Sequence, residues 1–354
     1  MLCNNLVANV APYGTGRGRL CLRVRGEVVS GGIWIPETPP IPLPIWPAFL
    51  LVIGLVTLAV HFMLIQSTLA SVLVAGLSRD HAQVVLARAP ILVAFLINFG
   101  IPPLLVVQAL YGSFFYSGSI LIAGPWLAVV FLLMGSYALV YFARYTSRLD
   151  YSRWASLLSA AGILTIAFIY SNVMSWMIHP GAWGEAYQSA GSHWYPRTAE
   201  ATLRWAWILG PALCWMGYFW PARFRPLFFT GLIVSGVAFA GLLSVAQYPL
   251  TGGQKLYQWA ALGILAVVGV AGVDAGGKLR CQVMPIVALA LDAASKVLTR
   301  HWIRESQIRD LHNIWTLPVQ IQPSVVAVTI GSLVLFVGLG LWMWNVVRKE
   351  GVAL

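Results

Sequence analysis

The chain has 354 residues, of which 59% are hydrophobic and only 9% charged, with 16 tryptophans and a mean hydropathy of +0.79. So little charge cannot cover a soluble globule of this size, so the composition excludes an ordinary water-soluble enzyme and points to an integral membrane protein in contact with the lipid bilayer. The formal net charge is +11, yet the lysines and arginines fall in the N-terminal stretch and in short loops between apolar runs, where they serve as topology signals; nucleic-acid binding is not expected.

Residues 1–45 differ from the rest: four arginines lie between Arg17 and Arg25, followed by the run PETPPIPLP. This composition is too polar and too proline-rich to pack, and predicts a disordered or extended lead-in to the membrane. The membrane bundle is expected over 46–348. Apolar runs at 47–77, 88–111, 117–143, 154–178, 201–220, 226–247, 256–273 and 324–347 are each close to the roughly 20 residues that cross a bilayer as a helix. A ninth stretch, 283–299, is short and carries Asp292 and Lys296 at i,i+4 spacing, which suits either a span with an internal ion pair or an interfacial helix. Lys296, Arg300 and Arg304 continue one basic stripe, which places at least the end of this helix at the headgroups. The expected fold is therefore an all-α bundle of eight or nine transmembrane helices.

Basic residues set the orientation. The loops holding Arg79 and Arg88, then Arg144, Arg148 and Arg153, then Arg223 and Arg225, then Lys278 and Arg280 all fall on one side of such a bundle. The positive-inside rule makes that side cytoplasmic and the N-terminus external.

Polar residues inside apolar runs are the candidate functional positions, because each costs free energy in hydrocarbon unless it finds a partner. In the first run Gly54, Thr57, His61 and Thr68 share a face, a stripe of small and polar residues around one imidazole. His61 admits two readings, a hydrogen bond to a neighbouring helix or ligation of haem iron. In the second run Asn98, the Pro102–Pro103 pair and Gln108 are expected to face protein or a cofactor cavity. In the fourth, Asn172, Ser175 and His179 share a face, which fits helix-to-helix hydrogen bonding or a quinone headgroup site near the outer surface. Trp176, Trp183 and Trp194 read as an aromatic belt. The cysteines, Cys3, Cys21, Cys214 and Cys281, form no CxxC or CxxCH spacing, so covalently attached haem and a cysteine metal site are not expected. No GxGxxG, P-loop, HExxH or nucleophile motif is present, and no catalytic residue is assigned.

The strings LAVHFMLIQSTLASVL and NFGIPPLLVVQALYGSFFYSGSIL, and more weakly SNVMSWMIHPGAW and the segment Arg304 to Asp310, resemble cytochrome bd oxidase subunit I and its divergent relatives over about half the chain. The resemblance implies a respiratory subunit of the bacterial cytoplasmic (inner) membrane that moves electrons between the quinone pool and partner proteins such as a cytochrome c or an iron–sulfur protein. It makes His61 the ligand of a haem b and places Asn98, Gln108, Asn172 and His179 around the haem or a quinone. The chain departs from the family pattern in several places. The region matching the family's fifth helix, YPRTAEATLRWAWILGPAL, has Arg204 and Trp205 but no histidine; LYQWAALGILAVV lacks the expected methionine; only Gln247 to Lys255 stand where a long external loop belongs; and PLLVVQALYG has aliphatics in place of a glutamate. Dioxygen reduction by this chain alone is therefore not expected, and a cofactor-free membrane scaffold that anchors a redox partner is the alternative function.

Overall fold

The computed structural model of the chain describes residues 42–332 apart from 189–190, 192, 197, 247 and 273–282, together with 334, 335 and 338. Eleven α-helices are described: α1 Pro47–Leu77, α2 Ala82–Leu86, α3 Ala89–Leu121, α4 Ala123–Tyr145, α5 Leu149–Ile178, α6 Trp183–Tyr187, α7 Thr198–Leu209, α8 Pro211–Phe219, α9 Pro221–Val245, α10 Gly252–Ala271 and α11 Val283–Ile308. A further helical stretch, Pro323–Ser332, follows them. Several open with proline in the first turn (α1, α3, α8 and α9), where its missing N–H is an orphan in any case and its fixed φ already suits the helix.

Six of the helices, α1, α3, α4, α5, α9 and α10, are long and apolar enough to cross a bilayer, so the protein is an all-helical, multi-pass membrane protein. The expected run 201–220 is instead two helices, α7 and α8, divided at Gly210. Pro211 there has no N–H to give to the turn before it. Half of the expected 324–347 span lies outside the described residues, as does the whole tail up to residue 41. The last residues before α1 are not loose: Leu43 N donates to the Pro318 carbonyl at 2.8 Å, and Leu43 and Ile45 are buried.

The turn expected after residue 111 is also displaced. Helix α3 continues to Leu121 and the break falls at Ile122, while Tyr111, at φ −135° and ψ 31°, leaves helical geometry inside it. The kink therefore sits at Tyr111, while Pro102 and Pro103 are carried within the helix. The continued stretch is held by close packing, because a Cβ on Gly118 would lie only 3.0 Å from the Val173 carbonyl of α5. Small residues allow such backbone approach where lipid supplies no hydrophobic drive.

Helix α1 is the centre of the bundle, with α3, α5, α8 and α11 packed around it. The basic loops gather at one end. Arg79 pairs with Asp150 at 3.2 Å, Arg144 donates to the Leu86 carbonyl and Arg153 to the Gly76 carbonyl. At the other end the loop 193–196 closes over α3 and α5, and the segment 312–322 returns to α3 and to the start of α1. Helix α11 runs between the two ends beside α1. Its 26 residues reach about 39 Å at 1.5 Å per residue.

Candidate functional site

His61 stands 14 residues into α1, about 20 Å from its start at 1.5 Å per residue. Its Nδ1 lies 3.0 Å from the carbonyl oxygen of Leu96 on α3. A carbonyl only accepts, so Nδ1 carries the proton and Nε2 the lone pair. Across the ring is Gly100, where a Cβ would sit 2.8 Å from Cε1. The absence of a side chain at Gly100 is what lets α3 close on the imidazole. Thr57 bonds back to the Ile53 carbonyl at 2.6 Å and is not the histidine's partner. Gly54, on the same face, is closed by Val106 of α3, so the stripe is a helix–helix seam.

Neither of the two cavities described beside α1 is lined by His61. The two cavities beside α1 measure about 40 and 30 Å³, against the ~300 Å³ or more of ligand pockets of drug size. Nor do the expected neighbours assemble there. Asn98 points outward from α3, exposed, with Nδ2 donating to the Ala94 carbonyl at 2.8 Å; an asparagine in a helix satisfies itself on the preceding turn when no partner faces it. Gln108 is half-buried and lines neither cavity. Of the two, only Asn98 departs from the expectation of facing protein or a cofactor cavity, since Gln108 stays partly buried. Among the described residues no three His, Cys, Asp or Glu side chains converge as a metal site.

Asn172 and His179, by contrast, are brought together at the C-terminal end of α5. Asn172 donates to the Phe168 carbonyl and accepts from the Tyr195 N–H at 3.2 Å. His179 Nδ1 is 2.9 Å from the Ser175 carbonyl, and Nε2 is 3.9 Å from a Glu200 carboxylate oxygen. Glu200, on α7 and fully buried, is the hub. It accepts from Arg204 at 2.9 Å, from the Tyr248 hydroxyl and from the Tyr195 hydroxyl, and Arg204 donates also to Tyr248. In the loop after α9, burial pushes the Tyr248 hydroxyl well above its ordinary range, with Arg204 opposing the shift and the Glu200 carboxylate adding to it. Tyr248 therefore stays protonated, the form that donates to Glu200. Trp176 and Trp183 belong to this interior, 0% and 1% exposed, while Trp194 is 45% exposed. The three do not form a belt, because the indole N–H groups of the first two are spent on the His193 and Trp176 carbonyls.

Helix α11 carries the largest departure from expectation. Asp292 and Lys296 are 0% exposed and bonded at 2.6 Å, which makes the stretch an interior helix with an internal ion pair and removes the interfacial reading. The basic stripe faces inward too. Lys296 Nζ lies 5.8 Å from the Trp207 ring of α7, Arg300 Cζ 5.3 Å from the Phe62 ring of α1, and Arg304 Cζ 4.3 Å from the Tyr111 ring of α3. Arg300, His301 and Arg304 then meet Arg204 of α7 around the 40 Å³ cavity, whose other walls are mainly aliphatic side chains, methionines and Tyr170. Four basic side chains on two helices thus converge beside the most apolar span.

Sequence reasoning missed Glu200, Tyr248, Arg300 and His301 as site residues. One signal was available, the i,i+4 spacing of Glu200 and Arg204 at the start of an apolar run. No family model, curated protein or solved structure matches the chain.

Proposed function

We propose that the chain is a cofactor-free membrane subunit of a respiratory electron-transfer complex, a scaffold in the bacterial cytoplasmic membrane that anchors a redox partner such as a cytochrome c or an iron–sulfur protein. The respiratory half rests on the resemblance of the α1 and α3 strings to bd subunit I. The cofactor-free half rests on one observation: His61 is used as a clasp between α1 and α3, bonded to Leu96 and closed by Gly100. In this reading the chain crosses the bilayer eight or nine times. The α7–α8 pair, α11 and the stretch from Pro323 add to the six apolar helices.

A second reading keeps the electron path. A proton fixed on Nδ1 by a carbonyl leaves Nε2 as donor, the tautomer of a ligating histidine, and the resemblance supplies haem b as its metal group and a quinone as substrate near His179. One measurement separates the two. The proposal expects a featureless dithionite-reduced minus oxidised spectrum from the purified chain. A b-type spectrum that disappears in His61→Ala, with the bundle still assembled, would replace it by the electron-transfer reading.

A further inference from the structure

The interior of α7 and α11 carries a charge imbalance. Its buried or half-buried cations are Arg204, Lys296, Arg300 and Arg304, and its carboxylates are Glu200, Asp292 and Glu305. Each carboxylate is engaged: Glu200 by Arg204, Asp292 by Lys296, and Glu305 by the Tyr111 hydroxyl. Among the described residues Arg300 makes no hydrogen bond or ion pair, and its guanidinium lies over the face of Phe62. Three buried nitrogens that line the same cavity, Arg204 Nε, Arg304 Nε and His301 Nδ1, also find no hydrogen-bond partner among the described residues; the Arg204 side chain is only 3% exposed. A guanidinium cannot shed its charge, and an ion left unpaired in an apolar interior costs several kcal/mol. The other walls of the cavity supply no carboxylate.

We propose that this cavity, between α1, α3, α5, α7 and α11, binds one small monovalent oxyanion of the carboxylate class. The charge follows from the excess of one cation over the carboxylates. The size follows from the volume: about 40 Å³ corresponds to roughly three water-sized positions at ~10–15 Å³ each, the extent of formate. The planar oxyanion follows from the donors, because two lone-pair-bearing oxygens match guanidinium N–H groups arriving from two helices better than a single spherical ion does. The site is independent of the scaffold reading, and its test does not involve haem.

The full chain is purified with gluconate as the only anion, since gluconate is too large to enter. Formate is then exchanged for gluconate at constant ionic strength while the thermal midpoint is followed, and isothermal titration with formate gives the stoichiometry. The expected result is a saturable rise in midpoint with close to one formate per chain. Arg300→Gln should abolish the response and raise the midpoint in gluconate above that of the wild type, since the uncompensated charge is gone. Should that variant fail to fold, Arg304→Gln and the wild-type titration carry the same decision. Asn98→Ala, on the outer face of α3, should respond as the wild type does. No saturable formate binding to the wild-type chain, or an Arg300→Gln protein that binds formate as well as the wild type, would overturn the site.

Discussion

On the seam between α1 and α3 one imidazole is satisfied by one backbone carbonyl, whereas on α7 and α11 seven charged side chains share the interior through i,i+4 pairs, ring contacts and a common cavity. Both regions lie beside apolar spans, where an unsatisfied polar group is costly. They differ in what removing one member leaves behind. Loss of His61 leaves only a carbonyl that the helix already uses. Loss of Asp292 or Glu200 leaves a buried cation. Local hydrogen bonding to backbone makes a robust clasp, and charge pairing makes an interior that depends on every partner being present.

The largest effect that sharpens this contrast is expected at Asp292→Leu, which strands Lys296 where both groups are 0% exposed. Removing one partner of a buried pair costs about 3–5 kcal/mol. The double variant Asp292→Leu with Lys296→Met should recover most of it, because a buried pair exchanged for apolar side chains of similar size is often neutral. Thermal denaturation of the purified chain measures both, and a single-variant loss below about 1 kcal/mol would mean that the pair is hydrated rather than buried. Glu200→Gln comes next. Its carboxylate accepts from Arg204, Tyr248 and Tyr195, and hydrogen bonds to a charged group contribute about 1.5–3 kcal/mol. A double-mutant cycle with Tyr248→Phe should show coupling of about 0.5–3 kcal/mol, and strict additivity would remove Glu200 as the hub.

Smaller losses are expected on the clasp. Gly100→Ala drives a methyl into the His61 ring, and overpacking of this kind costs about 1–3 kcal/mol. His61→Ala removes one interhelical hydrogen bond in a membrane setting, about 1–2 kcal/mol. In the double variant the alanine methyl enters the space the imidazole has left, so the pair should be less damaging than the two losses added. A double variant at least as unstable as that total would show that Gly100 and His61 do not touch.

How much of this was readable in the chain depended on whether a signal points in a direction. Apolar length does not need one, which is why the helical class and the long spans followed from hydropathy, while the i,i+4 spacing of Asp292 and Lys296 left an internal ion pair and an interfacial helix both open. A basic stripe has no such sign. Lys296, Arg300 and Arg304 have the same pattern whether they reach headgroups or face a bundle, and only the packing of α11 on α1 decides it. Asn172 and His179 were legible as one face, but their meeting with Glu200 depends on a loop closing over α5, a contact between distant segments. The kink in α3 was not legible for a related reason. Prolines in a long packed helix can be accommodated, and Tyr111 leaves helical geometry where its hydroxyl reaches Glu305 of α11.

The smallest expected effect lies at Asn98, and it tests the outward face of the bundle. Its side chain is exposed and bonded only to the Ala94 carbonyl one turn earlier. A change to alanine removes that local bond, returns the carbonyl to its ordinary helical role and places a better helix former in α3. Away from buried features, such substitutions fall within about 0.5 kcal/mol of zero, so Asn98→Ala should melt with the wild type in detergent. In the native membrane the outcome is more telling. If lipid covers this face, the variant should also assemble and accumulate normally. Loss of a co-purifying partner with an unchanged midpoint would show that Asn98 belongs to a subunit interface, and that the face of α3 turned away from His61 is a docking surface.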